Sequence, residues 1–65
     1  MIIILNGENY TTQAETLQAL IRELRIDDRR IVVLIDDEPI KETAFATTRL
    51  VQAMRLELLE FVGGG

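Results

Sequence analysis

The 65-residue chain contains no cysteine and no histidine. The first absence excludes a disulfide framework, a thiolate metal site and a thiol nucleophile carried by the protein itself. The second removes the commonest general base and the commonest transition-metal ligand. What remains is carboxylates, hydroxyls, one tyrosine and a few basic side chains, a set without a recognisable catalytic constellation, so an autonomous enzyme is not expected. Basic charge is also short, with seven Lys and Arg against eleven Asp and Glu, a net charge of −4 and a pI near 4.6. Phosphate binding needs a basic stripe, so nucleic acid and anionic membrane are disfavoured as partners and a basic protein is favoured. The longest apolar run, Met1 to Leu5, is too short to span a bilayer and carries no signal-peptide pattern, which implies a soluble, cytoplasmic protein. A chain this short makes one small domain with no room for a deep cleft.

The aliphatic residues that are present fall into regular patterns. Met1-Ile2-Ile3-Ile4-Leu5 is β-branched and continuous, and Asn6-Gly7 after it is the pair favoured at the two φ > 0 positions of a type I′ hairpin. A second strand through about Thr12 follows. Leu17, Leu20, Ile21 and Leu24 line one face of a helix, with Gln18, Arg22 and Glu23 facing water. Two N-caps fit: Thr12 with Glu15 as a capping box, or Thr16 alone. Ile31 to Ile35 is the second aliphatic run, ended by the turn residues Asp36-Asp37. Pro39 cannot donate to a ladder and confines the next short strand to an edge. Residues 41–53 show no period, only Phe45, Leu50 and Val51, and read as an irregular connection with one helical turn. Arg55-Leu56-Glu57-Leu58 alternates as a half-buried strand that continues through Phe61-Val62.

Hairpin, helix, strand, edge strand, connection and strand describe an α+β chain with a mixed sheet of four to five strands and one main helix on one face. The first and last strands become parallel neighbours through a right-handed crossover, the β-grasp or ubiquitin-like arrangement. Residues 1–62 form the domain, and Gly63-Gly64-Gly65 form a mobile tail leaving a central strand. Read alone, three terminal glycines fit a frayed end or a linker remnant as well as a functional arm.

Several blocks together resemble the ThiS family, the sulfur carriers of thiamine thiazole synthesis. These are the aliphatic start into Asn6-Gly7-Glu8, the Thr16-led helix closing in Leu24-Arg25-Ile26-Asp27, the turn at Ile35-Asp36-Asp37-Glu38, the aromatic Phe45, and the final Arg55-Leu56-Glu57-Leu58-Leu59-Glu60-Phe61-Val62-Gly63-Gly64-Gly65. Such proteins usually carry Asn-Gly where this chain has Asp36-Asp37, and an acidic, glycine-containing turn where it has Val51-Gln52-Ala53-Met54. The resemblance implies a non-catalytic carrier whose Gly65 carboxylate is adenylated and converted to a thiocarboxylate, with Gly63 and Gly64 threading the partner's active site. It implies a ubiquitin-activating-like adenylyltransferase that uses ATP, a persulfide sulfur donor and a thiazole synthase as partners, with no permanently bound cofactor. A molybdopterin-type sulfur carrier, or a ubiquitin-like modifier or interaction module, is the alternative; the single lysine, Lys41, limits self-linked chains.

Strand alternation places Ile3, Leu5, Ile31, Val33, Ile35, Leu56 and Leu58 against the helix, and sends Ile2, Ile4, Val32, Leu34, Leu59 and Phe61 to the other face. An aliphatic second face with Val62 beside it reads as a partner interface, or as a surface partly covered by residues 41–53. Asp27-Asp28 and Asp36-Asp37-Glu38 lack calcium-loop spacing and fall at turns, so no metal site is expected.

Overall fold

Two aliphatic runs, each closed by a tight turn, build the two hairpins of the sheet. The computed structural model describes residues 1–61. In the first hairpin β1 (Ile2–Leu5) pairs antiparallel with β2 (Glu8–Thr11) around Asn6 (φ 50°) and Gly7 (φ 82°), the two positive φ values of a type I′ turn. In the second, β3 (Ile31–Ile35) pairs with β4 (Glu38–Ile40) around Asp36 (φ 51°) and Asp37 (φ 68°). Aspartate is among the few residues other than glycine that enter the left-handed region routinely, which lets Asp-Asp serve where Asn-Gly is favoured.

Among the described residues the architecture is one helix, α1 (Leu17–Glu23), on a five-stranded mixed sheet of order β2-β1-β5-β3-β4, where β5 spans Arg55–Glu60. β5 runs parallel to β1 and antiparallel to β3, so the last strand is central as the β-grasp reading requires. The strand β2 stops at Thr11, one residue short of the expected end. No helix among the described residues is long and apolar enough to cross a membrane.

Thr16 is the N-cap of α1: its Oγ1 accepts from the Ala19 N–H at 3.1 Å. Thr12, the other candidate, is drawn elsewhere. Its buried hydroxyl donates to Glu23 Oε1 at 2.9 Å and accepts from the Ala14 N–H at 3.0 Å. Tyr10 also donates to Glu23, at 2.6 Å, so Glu23 is not the freely solvated group the sequence suggests. That bond, with minor help from burial and the carboxylate's charge, raises the Tyr10 pKa above its ordinary value. The helix ends in a Schellman motif without glycine: Arg25 (φ 58°) donates to Arg22 O at 3.0 Å and Ile26 to Ile21 O at 3.2 Å.

Residues 41–53 do not cover the sheet's second face. Leu17 N–H donates to Thr48 O at 2.8 Å and Gln18 N–H to Phe45 O at 3.0 Å, so the connection supplies acceptors for the first amides of α1, which no intrahelical carbonyl can reach. It also contributes Phe45 and Leu50, 2% and 5% exposed, to the core of Ile3, Leu17, Leu20, Ile21, Val33 and Leu56. One helical turn is present as the 3-10 segment Glu42–Ala44. Val51 departs from its neighbours and stays 56% exposed.

The turn entering β5 is closed by Met54 N–H donating to Val51 O at 3.1 Å, with Ala53 at φ 66°. Alanine there carries the Cβ penalty that glycine avoids. Ala53→Gly is therefore expected to stabilise the protein by about 0.5–1 kcal/mol, net of the glycine's extra unfolded-state entropy, and to raise the thermal midpoint by roughly 2–8 °C. A thermal unfolding curve at or below that of the parent would show that the turn is unstrained.

Candidate functional site

The strand that carries the chain end is held from both sides almost to the limit of the described residues. On the β1 side, the ladder runs through Asn6 N–H donating to Leu56 O at 2.9 Å, and β1 then turns away. The Asn6 side chain takes over: its Oδ1 accepts from Leu58 N–H at 2.8 Å, and its Nδ2 lies 3.4 Å from Leu58 O, a long contact. On the β3 side, Phe61 N–H donates to Arg30 O at 2.8 Å. Val62, Gly63, Gly64 and Gly65 lie outside the described residues.

Arg30 belongs to the loop organised by Asp27. Asp27 Oδ1 accepts from Arg29 N–H at 2.9 Å, and its carboxylate pairs with Arg29 Nε at 3.4 Å and Arg30 Nε at 3.8 Å. The Arg29 amide is the main cause that holds the Asp27 pKa below its usual range; desolvation opposes it, and the two guanidinium groups add to the lowering. Among the described residues no group of three or more His, Cys, Asp or Glu is placed to hold a metal ion.

The outward residues divide by exposure. Ile2, Leu59 and Phe61 are 42%, 50% and 56% exposed, while Ile4, Val32 and Leu34 are half-buried and stand outside the core cluster. Val32 lies opposite Leu59, so Val32, Leu34, Leu59 and Phe61 form one apolar area beside the end of β5. Ile2 and Ile4 form a second area on β1. The two are not continuous. Arg55 and Glu57 occupy the outward positions of the first half of β5, between Ile4 and Leu34, and both are exposed. The alternation that sends Leu59 outward sends Arg55 and Glu57 outward as well, so this interruption was readable in the sequence and missed. The role of Asn6 beyond its turn had no sequence signal, because it depends on β1 lying beside β5.

The profile of the ThiS family matches residues 3–65. The chain belongs to this family. The crystal structure of the thiamine biosynthesis protein ThiS from Geobacter metallireducens superposes with a TM-score of 0.83 at 28% identity, covering 100% of both chains. A solution NMR structure of a thiamine biosynthesis protein from the same organism gives 0.81 at 25% identity, covering 100% of this chain and 88% of the other. A thiazole synthase from Paramagnetospirillum magneticum is 32% identical over 66 residues; the match takes in 100% of this chain and 20% of that protein's length. The β-grasp expectation and the family resemblance both stand on these matches.

Two measurements test this geometry. Asn6→Gly keeps a residue suited to φ 50° and deletes the amide that holds Leu58, so it is expected to cost about 1–2 kcal/mol in urea unfolding; an unchanged midpoint would mean the side chain contributes nothing. The Asp27 pKa is lowered in the folded state, so its contribution to stability is present above the ordinary carboxylate range and lost as pH falls through the lowered value. The stability difference between the parent and Asp27→Asn should accordingly vanish on acidification. A pH-independent difference would locate the effect in packing.

Proposed function

We propose that this ThiS-family chain is the sulfur carrier of thiamine thiazole formation, and that its reacting group is the carboxylate of Gly65. The family match that runs through Gly65 carries the proposal, together with the central position of the strand leading to it. A free carboxylate is a poor acyl donor, so an ATP-using, ubiquitin-activating-like adenylyltransferase forms the acyl adenylate with release of pyrophosphate; the outer sulfur of a persulfide donor displaces AMP, and a thiol then reduces the resulting acyl disulfide, leaving the thiocarboxylate on Gly65 and a disulfide behind. Gly63 and Gly64 give the arm a cross-section small enough for a narrow channel. The carrier supplies the acyl group and the docking surface; its partners supply catalysis.

The docking surface in this reading is the outer face: Ile2 and Ile4 on β1, and Val32, Leu34, Leu59, Phe61 and Val62 toward the chain end. Exposed apolar area of this kind, adjoining the strand that bears the reacting terminus, supports it. The similarity to a thiazole synthase supports that enzyme as the acceptor and favours the thiazole branch over a molybdopterin-type carrier or a protein modifier.

Intact-mass measurement of the protein isolated from its host is expected to show a fraction heavier by the difference between sulfur and oxygen, and deletion of Gly65 is expected to abolish both that fraction and sulfur transfer. Sulfur transfer by the truncated chain would refute the mechanism, and mass additions the size of whole proteins would point to conjugation instead.

A further inference from the structure

Apolar contact holds two surfaces together without fixing their register, because it has no direction. Charged groups inside the contact fix it. The outer face has such a feature where its apolar area is interrupted. A notch of about 250 Å³ opens over the first half of β5, walled by Ile4 of β1 and Leu34 of β3, with Asp36, Asp37, Arg55 and Glu57 around it. Three acidic residues and one arginine line it, and among the described residues no ion pair within 4.0 Å joins Arg55 to any of the three.

The geometry points to this notch as the socket for a basic side chain of the protein that docks on the outer face. The occupant is an arginine or lysine on an otherwise apolar surface of the adenylyltransferase. This inference rests on the carrier reading above and deepens it. Charge complementarity selects the occupant: the notch has an excess of negative charge, the whole chain carries −4, and the aliphatic walls suit the methylene stem below a cationic head. A second copy of this chain would bring the same carboxylates to face their like. Arg55, Glu57 and Leu59 of β5 and Phe61 just beyond it form one outward row, and Phe61 lies four positions on from Glu57, about 13 Å at the rise of a strand. A cation seated in the notch therefore fixes the partner along the strand at a set distance from the root of the tail.

The test is calorimetric titration of the full chain against the purified host adenylyltransferase, without ATP, at low and high salt. Asp36→Asn, Asp37→Asn and Glu57→Gln are combined in one variant; asparagine tolerates positive φ, so both turn positions keep their geometry, and circular dichroism checks the fold. The expected result is binding at least tenfold weaker than the parent at low salt, with the gap closing as salt rises. Parent-like affinity and salt dependence in this variant, while Leu59→Ala with Phe61→Ala weakens binding, overturns the socket and leaves the carrier reading intact. Failure of the parent itself to bind overturns both. Parent dimers in sedimentation that tighten when the carboxylates are neutralised would make a second copy the occupant and overturn the inference.

Discussion

A helix of seven residues cannot cover a five-stranded sheet, and the rest of this structure follows from that shortage. Residues 41–53 are used to complete the one face the helix does protect. Phe45 and Leu50 enter the same core as Leu17, Leu20 and Ile21, and backbone carbonyls of the same segment accept from the first helical amides. Buried amides without partners cost more than exposed aliphatic surface, so this use of the connection takes precedence over coverage of the second face. That face stays open because the described chain has nothing left to put on it.

The same economy shows in the turns. Among the described residues five other than glycine, Asn6, Arg25, Asp36, Asp37 and Ala53, sit at positive φ, and glycine meets the requirement at Gly7. Asparagine and aspartate bear this conformation with little strain; Arg25 and Ala53 do not. At Arg25 the left-handed residue closes a Schellman motif and satisfies two carbonyls of the helix end. At Ala53 it allows the chain to present Met54 O to Ile4 N–H at 2.8 Å and Ala53 N–H to Ile2 O at 2.8 Å, which sets β1 and β5 side by side. Local strain at one residue thus secures the parallel pair that makes β5 central.

Much of this was legible in the sequence because it obeys local rules. Asn6-Gly7 announces its hairpin, the Leu17, Leu20, Ile21 spacing announces the helix face, and Pro39 marks an edge strand. The continuous aliphatic runs of β1 and β3 suit the middle of the sheet, and β5 lies between them. The rest depends on what lies opposite in space. Thr12 and Thr16 are equal candidates as caps until Glu23 comes within reach of Thr12, and the destination of residues 41–53 is set by amides of α1 that the sequence does not display as unpaired. The outer face is less apolar than its aliphatic residues alone suggest, because period-two alternation sends Arg55 and Glu57 to the same side.

A carrier that does no chemistry of its own gains most from holding the base of its reacting arm still. Capture of a chain end costs about 1–2 kcal/mol of backbone entropy for each residue that must be ordered. In the proposed carrier none of that cost falls on the strand through Phe61, because Asn6 grips Leu58 from one side and Arg30 O holds Phe61 N–H from the other. Were β5 an edge strand ending in the same residues, half of these restraints would be missing and a partner would have to order a longer arm. Central placement of β5 therefore serves the core through Leu56 and Leu58 and, in the proposed cycle, spares a partner the cost of ordering the strand that leads to the reacting residue.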